Sequence, residues 1–275
     1  MSAAGGDEED LTRKQRREQA RAQRRELEAA QAASAARRTR LIQLGVVAAV
    51  VVAVIVVIVI ATSGGKKSHV ATTPQAKSQV FTDVNKVIGG VSQSGSALGS
   101  AKAPVTLVFF GDLQCPVCRD FSLGVLPGLV ERFVRPGKLR IEYRSLETAT
   151  REPETFRKQQ IAALAAGKQS KMWWFTELFY HQQGEENSEY VNEEFLDKLA
   201  KEVPGLDGSK WKSDRNDPEF QNTLLTDAQA ANNQGLTGTP SFLLGKSGTT
   251  PRKFEPTSYQ EPSSYYAAIE RQLKK

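Results

Sequence analysis

The sequence predicts an α/β domain carried behind one N-terminal transmembrane helix. Three observations predict it. Residues 41–61 form one long apolar run. Farther on, a buried strand, a Cys-x-x-Cys, a helix and a second strand follow one another, as in a βαβ unit. Finally, an all-helical stretch of about residues 152–235 separates that unit from a last pair of strands.

The first 40 residues hold ten Lys/Arg and seven Asp/Glu. The net charge of the 275-residue chain is +6, so this tail carries half of it and the remainder is only weakly basic. No basic stripe interleaved with aromatics is present, which argues against nucleic acid as a partner. The tail from Leu11 to Arg38 has no Gly or Pro and reads as a solvated, partly helical segment. In LIQLGVVAAVVVAVIVVIVIA, Leu41 to Ala61, no polar side chain occurs after Gln43. Eighteen such residues at 1.5 Å each make roughly 27 Å of helix, close to the hydrocarbon thickness. A signal-peptide core is shorter and lies nearer the start, so an uncleaved span is expected. Arg37, Arg38 and Arg40 abut its near end, whereas only Lys66 and Lys67 stand close on the far side. The positive-inside rule then puts residues 1–40 in the cytoplasm and residues 62–275 outside, where disulfides persist.

Residues 62–79 read as a flexible polar linker, with order beginning over Val80 to Ile88. GGVSQSGSALGSAKAP, Gly89 to Pro104, is a loop or weak hairpin. PVTLVFF, Pro104 to Phe110, is nearly continuous in apolar residues, as a strand covered on both faces should be. From Pro116 to Val134 apolar residues recur at helical spacing, and Gly124, Pro127 and Gly128 predict a kink or break. LRIEYRSL alternates and reads as a half-buried strand. Helices are expected around Ile161–Ala165, Met172–Phe179 and Phe195–Val203. Another is expected from an N-cap at Asp217, with Pro218 in its first turn, to just before Gly235. Trp173 and Trp174 read as packing residues, and His181 as a surface residue closing a distant helix. Two short strands flank the turn at Gly245–Gly248. The final helix presents Tyr266, Ile269 and Leu273 on one face.

DLQCPVCRDF holds both cysteines of the chain, Cys115 and Cys118. A thiolate is the attacking species in disulfide exchange. With a helix starting at Pro116, Cys115 sits at its N-terminus, where unpaired N–H groups and the helix dipole favour the anion. Cys118 lies one turn inside, shielded but close enough to close a disulfide. Cys115 would attack or be attacked, and Cys118 would resolve the mixed disulfide. Two rivals stand beside this reading. One is half of a metal site, for which zinc lacks ligands, since only His69 and His181 accompany the cysteines; a two-coordinate copper site fits better. The other is a pair of inert thiols.

VTLVFFGDLQCPVCRDF resembles the active-site segment of DsbA-like thiol–disulfide oxidoreductases of the thioredoxin superfamily. GLTGTPSFLLG, Gly235 to Gly245, resembles that family's cis-proline loop, and the helical stretch between them resembles its helical insertion. The resemblance covers about residues 80–275. It implies a thioredoxin fold with a helical insertion, with no cofactor beyond a redox-active Cys115–Cys118 disulfide. It implies Cys115 as nucleophile, Cys118 as resolving cysteine, Pro240 as the cis-proline, and Thr239 as the residue whose exposed backbone docks an extended substrate. Asp112 is a candidate for proton transfer, although a loop carboxylate is more often a cap or solvated. The expected activity is donation of disulfides to cysteine-containing secreted or membrane clients, with reoxidation by a quinone-linked membrane partner. The dipeptide here is Pro-Val rather than the Pro-His of the strongly oxidising archetype, so a milder oxidant is expected. A reductase or isomerase of the same fold is the main alternative; a copper carrier or a client-holding chaperone is the alternative from another class.

Overall fold

A computed structural model describes residues 73–274. The tail and the apolar run at 41–61 lie outside them, and among the described residues no helix is long and apolar enough to cross a membrane.

Helix α1, Pro74–Ile88, starts inside the segment expected to be linker. The cause is local: Thr73 caps it by accepting the Ala76 N–H at 3.1 Å, and Pro74 fills the first turn, where its missing N–H is harmless. A minimal hairpin, β1 (Gln93–Ser94) and β2 (Ala97–Leu98), follows. Strand β3 (Val105–Gly111) runs parallel to β4 (Leu139–Ser145) in register from Val105 opposite Leu139 to Gly111 opposite Ser145. Strand β5 (Ser241–Lys246) lies antiparallel on the other side of β3, and β6 (Arg252–Phe254) pairs with β5. The sheet order is β1-β2-β4-β3-β5-β6, so β3 is central.

Alternation along β3 feeds two layers. Leu107 and Phe109 join the main core, while Val108 and Phe110 pack with Leu146, Ala231, Leu236 and Leu243 in a second cluster. This double burial is why β3 reads as a continuous apolar run. In the main core, Phe109 stacks on Phe242 with centroids 5.5 Å apart, and Phe121 lies 4.8 Å from both.

Helix α2 runs from Pro116 to Val134, and at the expected kink or break the chain stays helical but changes its hydrogen-bond pattern. Its α-helical segments, Pro116–Asp120 and Leu126–Leu129, alternate with π turns at Phe121–Val125 and Val130–Val134. The first π turn absorbs the proline. Leu126 N–H bonds back to the Phe121 carbonyl, and Pro127 then falls in the first turn of the next α segment, where no N–H is required. Gly124 has a packing reason, since a Cβ there would stand 2.7 Å from the Gln260 carbonyl oxygen.

Five helices separate β4 from β5: α3 (Pro153–Gly167), α4 (Met172–His181), α5 (Glu193–Glu202), α6 (Gly208–Asp214) and α7 (Glu219–Asn233). α6 has no counterpart in the expected elements. It is short and polar, capped by Asp207 through the Lys210 N–H, and held by one buried residue, Trp211, whose indole N–H donates to the Ala162 carbonyl at 2.8 Å. α7 begins one residue beyond expectation, because Asp217 accepts from Glu219 N–H and leaves Pro218 at the cap. Trp173 and Trp174 are buried. His181 is half-buried rather than a surface residue. It lines a groove of about 500 Å³ with Val87, Leu123 and Pro127, so the end of α4 reaches α1 and α2. The final helix, α8 (Ser263–Leu273), buries Tyr265, Ala268 and Ile269; Tyr266, expected inward, is only half-buried.

Candidate active site

The carboxyl end of β3 delivers the two cysteines. Gly111 ends the strand against aromatic rings, where an added Cβ would stand 2.8 Å from the Tyr143 ring. The next three residues turn the chain: Gln114 N–H donates to Asp112 Oδ1 and Cys115 N–H to the Asp112 carbonyl, both at 3.0 Å. Cys115 is thereby the N-cap of α2, with extended backbone, and Pro116 follows at the first turn.

At that cap, Cys115 Sγ accepts the Cys118 N–H at 3.4 Å and donates to the Thr239 carbonyl at 3.2 Å. Cys115 retains 5% exposure and Cys118 none, so a second sulfur can reach only the former. The same asymmetry governs acidity. The Cys118 side chain, the Thr239 hydroxyl and the N–H groups of Cys118 and Val117 favour the Cys115 thiolate over an opposing burial effect, and bring its pKa down to about 7. A substantial thiolate fraction is therefore present near neutral pH. Cys118 is pushed well up, first by burial and then by its neighbour Cys115.

Asp112 is not a solvated loop residue. It is fully buried, and its carboxyl accepts six hydrogen bonds. Oδ1 receives Gln114 N–H, the Thr150 hydroxyl and Gln159 Nε2; Oδ2 receives the N–H groups of Thr148, Ala149 and Thr150. The side chain ties the cysteine loop to the β4–α3 connection. What Asp112 offers the Cys118 sulfur is its backbone N–H.

The peptide bond between Thr239 and Pro240 is cis. The loop around it stands against Cys115 through the Thr239 carbonyl, and the Thr239 hydroxyl lies 2.5 Å from that of Thr148. A groove of about 260 Å³ beside Pro240 is lined by Leu236, Thr237, Phe242, Phe254 and Tyr259, among others.

Several residues that hold the site carry no signal in the sequence. Gln183, buried just after α4, donates to the carbonyls of Leu113 at 2.8 Å and Cys115 at 3.1 Å. Asn187 donates its backbone N–H to the Gln114 side chain and its amide to the Ala149 carbonyl, and it accepts from Arg151 N–H. These are polar residues in a loop without periodicity, and their partners lie 36 to 73 positions away. Glu177 on α4 accepts from the Ser122 hydroxyl at 2.7 Å, one turn beyond Cys118; burial pushes its carboxyl up to about 8. Among the described residues, no group of three or more His, Cys, Asp or Glu side chains is gathered as metal ligands.

Comparison with known proteins matches these features. A family model described as thioredoxin covers residues 92–261. The probable disulfide bond formation protein D of Bacillus anthracis is 27% identical over 186 residues, which span 65% of this chain and 78% of the relative. Oxidised BdbD from Bacillus subtilis superposes with a TM-score of 0.57 at 21% identity, over 67% of this chain and 98% of that structure. Wolbachia pipientis alpha-DsbA1 gives 0.53 at 20% identity, over 65% and 90%.

Proposed function

The chain belongs to the thioredoxin family and is a DsbA-like protein thiol–disulfide oxidoreductase, and we propose that it uses Cys115 and Cys118 to donate disulfides to cysteine-containing clients outside the cytoplasm. The observation that carries the reading is the split between the two thiols: Cys115 reachable and acidified, Cys118 buried and weakly acidic.

The reaction follows from that split. A client thiolate attacks Cys115 Sγ of the Cys115–Cys118 disulfide. The S–S bond breaks, and its electron pair leaves on Cys118, which takes up a proton. The client's second thiolate then attacks the client sulfur of the mixed disulfide and expels Cys115 as a thiolate. The client loses two electrons and its two thiol protons; the cysteine pair gains both electrons and one proton, on Cys118, while the other proton passes to solvent and Cys115 is left a thiolate. Cys115 suits the second step, since a more acidic thiol leaves faster. The Thr239 backbone supports docking of an extended client strand beside Cys115, and the groove at Pro240, where Thr237, Ser241, Lys253 and Glu255 stand among the apolar side chains, offers a mainly polar place for a client side chain. Asp112 is assigned to holding the cysteine loop, in preference to proton transfer, on the strength of its six bonds. Residues 41–61 would anchor the enzyme with residues 62–275 outside, and a quinone-linked membrane protein would reoxidise it.

One observation favours a second reading. The Cys115 thiol, lowered to about 7, lies nearer the range of thioredoxin than that of a strong oxidant, whose attacking thiol sits at about 3.5. The same couple could therefore run as a reductase, with electrons supplied by its membrane partner.

The test is trapping. Cys118→Ser is expected to accumulate mixed disulfides at Cys115, identifiable by mass spectrometry; Cys115→Ser should abolish exchange. No adducts from Cys118→Ser, together with no turnover of dithiol peptides by the wild type, would refute the reading. Tight copper binding that needs both thiols would then point to a carrier. The reduction potential of the couple separates the two directions of flow.

A further inference from the structure

We propose that Thr148 is a positioning residue for Cys115, donating its hydroxyl proton to the Thr239 hydroxyl so that the Thr239 proton is aimed at the Cys115 sulfur. This rests on the reading of Cys115 as the attacking sulfur, and it concerns what prepares that sulfur.

The two hydroxyl oxygens stand 2.5 Å apart although 91 positions separate the residues. They join the β4–α3 loop to the Pro240 loop at the rim of the site. Neither loop is free to drift. Thr148 and its two successors are held by Asp112 through three backbone N–H groups, and the Thr239 carbonyl accepts from Cys115. A threonine hydroxyl has one proton and two lone pairs. Within the pair one oxygen must donate, and the direction decides what Cys115 meets. If Thr148 donates, Thr239 keeps its own proton for the sulfur; if Thr239 donates, its proton is turned away.

The chemistry of ionisation favours the first arrangement. As a thiol, Cys115 donates to the Thr239 carbonyl. As a thiolate it can only accept: from the Cys118 thiol first, then from the Thr239 hydroxyl and from the N–H groups of Cys118 and Val117. A donor behind Thr239 polarises its O–H and strengthens the bond to the anion. The titratable neighbours of the sulfur are Cys118 on its own helix and Tyr180 on α4. Glu147, beside Thr148, is raised first by burial and then by Asp112, with Arg157 opposing and Glu152 adding.

The experiment uses the full-length reduced chain in detergent. The rate of Cys115 alkylation by iodoacetamide is followed from pH 5 to 10 for the wild type, Thr148→Val, Thr148→Ser, Thr239→Val and the double valine variant. Thr148→Val keeps the shape and removes the hydroxyl. It is expected to raise the midpoint by about half a unit, about threefold in thiolate equilibrium. Thr148→Ser should restore the wild-type midpoint. In the Thr239→Val background, Thr148→Val should add nothing, because the relay is already cut. A Thr148→Val midpoint that stays in place or falls overturns the proposal, as does an equal rise with Thr239 absent. Failure here leaves the trapping result untouched, since the titration reads the thiol whether or not the chain donates disulfides.

Discussion

Replacing Asp112 by Asn tests whether this carboxyl is the tie that holds the site. The amide has one oxygen where the carboxyl has two, so three of the six donors must face an NH₂ group. If the NH₂ replaced Oδ2, three rigid backbone N–H groups would be left without an acceptor. Replacing Oδ1 is better tolerated. The Thr150 hydroxyl can rotate to accept, and Gln159 can turn its amide to present Oε1, which has no partner in the native arrangement. The Gln114 N–H is then orphaned, and the turned Gln159 Nε2 gives up the Thr150 hydroxyl as well, at about 1–3 kcal/mol each. The three bonds left on the other oxygen lose their charge assistance, roughly 1 kcal/mol each. The total is about 5–9 kcal/mol, or roughly 20 °C in Tm for a domain of this size. Thermal denaturation of the reduced full-length chain at pH 7 reads it, with Cys115 alkylation as a check that the folded site is intact. A loss below about 1 kcal/mol would refute the argument. A stable variant whose exchange slowed with a changed pH profile would restore the proton-transfer role for Asp112.

Glu177→Gln should flatten the pH dependence of stability. Its folded carboxyl is raised to about 8, so the stability it contributes is complete below the unfolded value near 4.5 and is lost as pH rises through about 8, at up to about 1.4 kcal/mol per pH unit; equal Tm changes from pH 5 to 8 in both proteins would contradict this. Gln183→Met, close in volume but without donors, should cost about 2 kcal/mol by leaving the buried Leu113 carbonyl unpaired, read by urea denaturation, and an unchanged midpoint would remove Gln183 from the group that holds the cysteine loop. Gly111→Ala should destabilise by about 1–3 kcal/mol through overpacking against Tyr143, whereas a wild-type Tm would mean that the ring has room to move. For the proposed anchoring, a reporter fused after Lys275 should be active only outside the cytoplasm; activity of a cytoplasm-restricted reporter there would overturn the orientation.

The sequence by itself determined what depends on neighbours along the chain. Strand β3 was legible because burial on both faces leaves a run of apolar residues, and β4 because burial on one face leaves alternation. Cys115 could be placed at a helix start because Pro116 follows it, and the Pro240 loop could be placed before a strand. The same local logic misjudged α1, where the Thr73–Pro74 start lies in polar surroundings, and missed α6, whose burial rests on Trp211 alone. On α8 it found Tyr266, Ile269 and Leu273, which all pack on the main core, but missed Tyr265, which is buried more deeply than Tyr266 because the partner surface reaches around the helix. Tertiary structure decided the rest of the site. Asp112 reads as a loop acid until the β4–α3 connection brings three N–H groups to it from 36 to 38 positions away. Gln183 and Thr148 become parts of the site only because α4 ends beneath the cysteine loop and two loops 91 positions apart meet at its rim. Hydrogen bonds between distant segments leave no period in a sequence, because each partner satisfies the other in space and neither constrains its own neighbours.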